Sequence, residues 1–125
     1  MKKLFIALLI VLFTGGIACA DCTLTFAWTN PSDLDLAGVR IFHHVEGGSY
    51  NYATPIWEGT GEESDPISGF TDTGAHNFVA RVFDTEGFES VDSNELLFIG
   101  PNHPSTGTGP GTITGFGITD WECAP

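Results

Sequence analysis

Apolar and polar residues alternate along most of this chain, the period-two pattern of strands that turn one face to a core. Cys22, Leu24, Phe26 and Trp28 alternate with Thr23, Thr25, Ala27 and Thr29, and the turn residues Asn30-Pro31-Ser32-Asp33 follow. Val39, Ile41 and His43 then alternate with Arg40, Phe42 and His44. Neighbours on a strand point to opposite faces, so His43 is expected in the core and His44 in solvent. Gly47-Gly48 closes this segment, and a weaker strand is expected over residues 53–58. A Gly/Glu-rich turn leads to a short segment near Ile67 that runs to Phe70. The clearest later strand covers residues 76–84, with Phe78, Ala80 and Val82 on one face, and residues 94–99 close the block. Residues 101–111 have the Gly, Pro, Ser and Thr composition of a linker, and residues 112–125 hold a last β-prone segment. No internal repeat occurs, and no helical period follows residue 20. The pattern predicts an all-β protein of two packed sheets, with residues 21–100 as its body.

Residues 1–20 read differently. Lys2 and Lys3 precede an unbroken apolar run over residues 4–13, which relaxes into Thr14-Gly15-Gly16 and ends in Ala18-Cys19-Ala20. A short basic region, an apolar stretch and an A-x-A site make a secretory signal. The apolar run is too short to span a bilayer comfortably, which favours cleavage over anchoring. Cleavage is expected after Ala20, leaving Asp21 at the mature N-terminus. The alternative is lipoprotein processing at Cys19, although Gly16 stands where that signal usually has an aliphatic residue.

Removal of the signal changes the charge balance. Lys2 and Lys3 leave with it, so Arg40 and Arg81 alone face 16 carboxylates, a net charge near −14. Such a chain repels nucleic acid and anionic lipid, so neither nucleic-acid binding nor membrane insertion is expected. Solubility in the extracellular medium is the plainer reading of this charge. The cysteines fall from three to two, Cys22 and Cys123, at opposite ends of the mature chain. One disulfide is the expected outcome in an exported protein, with free thiols or intermolecular bridges as the alternative.

Two blocks of the sequence carry a family likeness. The stretch Leu24-Thr25-Phe26-Ala27-Trp28-Thr29-Asn30-Pro31-Ser32-Asp33-Leu34-Asp35-Leu36-Ala37-Gly38-Val39-Arg40-Ile41 resembles the second-strand, loop and third-strand signature of fibronectin type III domains, with Trp28 at the core tryptophan. Phe70 stands where that family has a leucine before its E–F turn, and Phe78, Ala80 and Val82 follow at the F-strand spacing. Asp84-Thr85-Glu86-Gly87-Phe88-Glu89-Ser90 and Ser93-Asn94-Glu95 resemble the F–G loop and the start of strand G. The likeness covers about residues 23–99 and implies an immunoglobulin-like sandwich, with strands B and E in one sheet and C, F and G in the other. Three departures accompany it. His76 replaces the usual tyrosine of the E–F corner, a disulfide is expected where the family usually has none, and no first strand precedes strand B.

Catalysis finds little support. Neither a nucleophile elbow, a zincin helix nor paired-cysteine metal spacing is present. His43 and His44 point to opposite faces and cannot share one metal, so no metal or other cofactor is expected. In the implied topology Asp33 and Asp35 come within reach of Asp84, Glu86 and Glu89 at one pole. These hard oxygen ligands suit calcium, but aspartates in such loops also cap turns, and the turn reading is preferred. Phe88, at the tip of the F–G loop, is either a binding anchor or a lid on the end of the core.

The outer face of the C–F–G sheet carries Arg40, Phe42 and His44, then Val79, Arg81 and Phe83, then Leu97 and Ile99. An apolar stripe holding both arginines marks an interface, unless the chain's own C-terminal segment covers it. Arg40, Phe42, Arg81, Phe83 and Phe88 are therefore the candidate interaction residues. The C-terminal segment is expected to supply the missing first strand, antiparallel to B and locked by Cys22–Cys123, with a bend at Gly115 or Gly117. The competing arrangement lays Phe116, Ile118 and Trp121 over the C–F–G face. The expected function is non-catalytic: an exported module that binds protein or glycan, or packs into an extracellular assembly. Alternatives are a self-assembling subunit that donates a strand and, less favoured, a small carbohydrate-active enzyme. Intact-mass measurement on exported protein should give a chain that begins at Asp21; a diacylglyceryl-modified Cys19 would overturn this.

Overall fold

The computed structural model describes residues 21–71, 74–99, 103–104 and 114–124. The expected signal and most of the expected linker lie outside these residues. The strands are β1 (Asp21–Thr29), β2 (Leu36–Val45), β3 (Trp57–Gly59), β4 (Ile67–Thr71), β5 (Ala75–Asp84), β6 (Leu96–Ile99), β7 (His103–Pro104) and β8 (Thr114–Ala124). They form two antiparallel sheets, β4-β1-β8 and β3-β2-β5-β6-β7, packed as an immunoglobulin-like sandwich.

The place beside β1 that the resemblance assigns to a first strand is filled by the C-terminal strand. β8 pairs antiparallel with β1 from Asp21↔Ala124 to Thr29↔Thr114, leaving β1 in the centre of its sheet. An unpaired β1 would expose a row of backbone donors and acceptors. The register is interrupted between Thr25 and Phe26 and again between Ala27 and Thr29. Gly115 makes the bend with φ at 62°, a left-handed conformation that costs glycine little. It turns Phe116 into the core, where its ring stacks 5.5 Å from Phe26 and lies 6.4 Å from Trp28. Ile118 packs against the same core. The alternative placement of Phe116 and Ile118 on the outer face is therefore excluded. In register, Cys22 faces Cys123, and the two form the disulfide.

Between the sheets lie Leu24, Phe26 and Trp28 of β1, Val39 and Ile41 of β2, Phe78, Ala80 and Val82 of β5, with Leu96, Phe98 and Phe116. These are the inward positions that alternation predicts for β1, β2 and β5. The Trp28 indole N–H, which burial would otherwise leave without water, donates to Asn30 Oδ1 at 3.0 Å and to the Gly61 carbonyl at 3.1 Å.

Two boundaries differ from the sequence expectation. The weak strand is shorter and later than residues 53–58, because the Ala53 amide donates to Asn51 Oδ1 and the Thr54 amide to the Asn51 carbonyl. That Asx turn consumes the donors a strand would need. Strand β6 begins at Leu96 rather than residue 94. Ahead of it, Ser90 and Ser93 accept from the Val82 and Ala80 amides through their hydroxyls and donate backbone N–H groups to the same residues' carbonyls. Serine side chains thus satisfy the upper edge of β5 where a regular ladder is absent.

The corner before β5 shows the expected substitution of chemistry. His76 Nε2 donates to the Thr71 carbonyl at 2.8 Å, five residues upstream, doing the work of a corner hydroxyl. Non-reducing peptide mapping of the monomer should recover a Cys22–Cys123 linked pair. Closing a loop of 101 residues is worth about 4–5 kcal/mol in the entropic account, so Cys22→Ser/Cys123→Ser should lose roughly that much stability. Truncation after Gly100 should aggregate or unfold, and a truncated domain that stays monomeric and equally stable would show β8 to be dispensable.

Candidate functional site

Three groupings of chemistry-bearing side chains stand out: the outer face of the larger sheet, the pole formed by the β1–β2 and β5–β6 connections, and a histidine pair between the sheets.

On the outer face, Arg40 and Arg81 are direct cross-strand partners. Like charges so placed repel. Glu89 resolves this by bridging them, at 2.6 Å from Arg40 Nη1 and 3.2 Å from Arg81 Nη1. Glu58 takes Arg40 Nε and Asp92 takes Arg81 Nε, each at 2.7 Å. The same guanidiniums lie over aromatic rings, Arg40 at 4.1 Å from the Phe83 centroid and Arg81 at 3.5 Å from that of Tyr52. Phe83 in turn lies across Gly38, where a Cβ would come within 2.8 Å of the ring. Tyr52 meets Phe42 edge-on at 5.0 Å and donates its hydroxyl to Asp92, while Tyr50 donates to Glu95. Burial, reinforced by Glu95, pushes the Tyr50 phenol well above its ordinary range.

This corrects the reading of that face as a free interface. Phe42 is fully buried. The cover comes from residues 46–56 and 85–95, not from the C-terminal segment. Arg40 and Arg81 are each held by an aromatic face and by carboxylates within the fold. What remains outward is a mixed surface, in which Val45, Val91 and Ile99 are exposed beside the carboxylates that hold the arginines.

The pole is built differently. Asp84 Oδ1 accepts from the amides of Glu86 and Phe88, both at 2.9 Å, while the Asp84 amide donates to the Phe88 carbonyl. The Thr85 amide donates to the Asp35 carbonyl, which ties the two connections together. Asp84 is thus a turn cap, whereas the side chains of Asp33 and Asp35, for which the turn reading is made, are exposed and accept from no amide among the described residues; both Glu89 oxygens are held by arginines. Among the described residues no group of three His, Cys, Asp or Glu side chains is placed to hold a metal ion. Asp33, Asp35, Leu36, Val82, Asp84, Phe88, Glu89 and Ser90 line a cavity of about 240 Å³. Leu34 projects fully into solvent beside it, and Phe88 is 71% exposed, so it does not fold back over the end of the core. Leu34 was not singled out from the sequence. The available signal was an aliphatic residue between two aspartates in a turn, where nothing nearby can bury it.

The histidine pair sits where β4 meets the β2–β5 ladder. His43 Nε2 lies 2.9 Å from His76 Nδ1. Because His76 Nε2 must donate to the Thr71 carbonyl, Nδ1 is left as the acceptor, and His43 Nε2 carries the proton between them. His43 packs on Phe70 and Phe78, on the inward side expected of it, but is only half-buried at the margin of the core. Burial, then the neighbouring His76 and His44, lowers its pKa to about 4.

The fold is a disulfide-closed, immunoglobulin-like β-sandwich. Compared with known proteins, the chain matches no family model, no curated protein and no solved structure.

Between pH 6.5 and about 4 the unfolded chain binds a proton at His43 that the folded chain refuses. Stability is therefore fully present above that window and falls as pH drops through it. Denaturant melts at stepped pH should show a steeper acid loss for the parent than for His43→Phe. Equal slopes would show that His43 titrates alike in both states.

Proposed function

We propose that this protein is an exported, non-catalytic interaction module of the fibronectin type III kind, which contacts a macromolecular partner through the pole of its β1–β2 and β5–β6 connections. The observation that carries the reading is the pairing of Leu34 and Phe88, two large apolar side chains left in solvent on loops that backbone hydrogen bonds hold in place. Ordered exposed apolar residues ringed by polar ones are the anatomy of a binding surface. Rigid loops also lose little entropy on binding.

The disulfide supports an oxidising compartment, and among the described residues no helix is long and apolar enough to cross a membrane. Export by cleavage after Ala20 agrees with both, with lipid attachment at Cys19 as its variant. Strand donation to a neighbour is the second reading. It is disfavoured because β8 pairs with β1 of its own chain.

Leu34→Ser/Phe88→Ser should fold as the parent does, since neither side chain is buried, and should fail to capture the partner from the native extracellular milieu. If the double variant captures the same set of molecules as the parent, the pole is ordinary surface and the reading falls.

A further inference from the structure

We propose that His43 and His76 form an acid-sensitive latch, which holds β4 on the sandwich through the Thr71 carbonyl at neutral pH and lets that strand go once each ring has gained a proton. The latch lies at the opposite end of the molecule from Leu34 and Phe88, beside the paired residues Asp21 and Thr71.

Two imidazoles stand in line behind one acceptor. His76 is buried, with its Nε2 at 2.8 Å from the Thr71 carbonyl and its Nδ1 at 2.9 Å from His43 Nε2. With both rings neutral, His43 donates and His76 accepts. One added proton leaves the line intact. On His43 Nδ1 it does not touch the bond, and on His76 Nδ1 the bond reverses when the His43 proton moves to its other nitrogen. A second added proton sets N–H against N–H between two positive rings, and they must part. The rings around the pair are Phe70 of β4, Phe78 of β5 and Phe98 of β6, which bring no countercharge. The strands β4 and β6 carry no titratable side chain. On β2, His44 adds a like charge when protonated, while Arg40 and its neighbour Arg81 of β5 are ion-paired on the outer face. Asp84 caps a turn at the far end of β5, and Asp21, Glu46, Asp120 and Glu122 are exposed. Cys22 and Cys123 are joined and do not titrate. Burial, then His76 and His44, hold the His43 pKa down to about 4, so the latch is shut at neutral pH.

What the latch holds is the most weakly seated strand of its sheet. β4 lies at an edge and is partnered with β1 at three positions, with an irregularity between Cys22 and Leu24. Ser68 and Gly69 are exposed, Gly69 has φ at 101°, and Phe70 is the one fully inward side chain of the strand. The neighbouring strand does not depend on it. β1 keeps β8 along its whole length on the other edge and is joined to it by the disulfide, so the sandwich stands when β4 leaves. Local opening of this kind draws on the least stable part of a fold. It uncovers Phe70 and the edge of β1, whose backbone donors and acceptors are then free to pair with another strand.

The test follows amide hydrogen exchange of the exported, disulfide-bonded protein at stepped pH, with the intrinsic exchange rates divided out. Opening of residues 67–71 should grow roughly tenfold for each pH unit between 6.5 and about 4, the ratio set by one proton that only the open state binds. That opening should be insensitive to low denaturant, since one strand exposes little surface, whereas residues 78–82 and 116–123 should open only with the large denaturant dependence of global unfolding. His43→Gln, whose amide can donate to His76 or accept from it, should flatten the pH dependence at residues 67–71. His43→Gln/His76→Tyr, which puts a hydroxyl at the corner and leaves no imidazole there, should flatten it as well. His44→Gln, on the outer face, should keep it. Opening of residues 67–71 that ignores pH in the parent, or that occurs only together with residues 78–82, would overturn the proposal whether or not the variants fold. An unchanged steep dependence in the His43 variants, or its loss in His44→Gln, would overturn it too.

Discussion

The antiparallel seam between β1 and β8 is the contact that lets the other elements exist as a closed sandwich. β1 supplies Leu24, Phe26 and Trp28 to the core, and a strand so apolar on one face needs hydrogen-bonded neighbours on both edges. β4 provides one of them through only three partnered positions, with an irregularity between Cys22 and Leu24. β8 provides the other along the full length of β1. It also brings Phe116, whose ring closes the core beside Phe26 and Trp28 and whose carbonyl accepts from the buried amide of Asn94. The disulfide places the last turn of this seam beyond fraying. Strand pairing, core volume and covalent closure thus fall on one segment.

The seam also sets the polarity of the molecule. Asp21 and Ala124 are paired at one pole, beside the disulfide. The β1–β2 connection, with Leu34, leaves from the other end of β1, and Asp84 opposes Leu36 there. Any attachment through the N-terminal side therefore presents Leu34 and Phe88 away from the point of attachment.

The larger sheet solves a separate problem. Its outer face holds more apolar surface than solvent tolerates, and the chain covers it with two tyrosines, two arginines and the acidic residues of the β5–β6 connection. Each guanidinium is both stacked and ion-paired, so neither is available to a partner. Net negative charge at the free pole follows from this internal use of the few cations. The charge at one pole is thus decided in part by pairings on another face.

Local pattern alone determined much of this protein. Alternation in β1, β2 and β5 specified which residues face inward, because a strand's side chains alternate strictly and each inward set is apolar. Cysteine parity, together with the vacant first-strand position implied by the resemblance to fibronectin type III domains, anticipated the Cys22–Cys123 pairing and the role of β8. Other features had no local signal. The Asx turn at Asn51 looked like strand because Ala53 and Ile56 are apolar, while the competing side-chain acceptor is a matter of geometry. The enclosure of Phe42 depends on Tyr52, Glu89 and Asp92, and the partners of Arg40 and Arg81 are reached only when β2 and β5 lie side by side. The resemblance already implied that the loops of Leu34 and Phe88 share one pole. Only the tertiary structure shows both side chains in solvent, because exposure is decided by what the rest of the chain fails to cover.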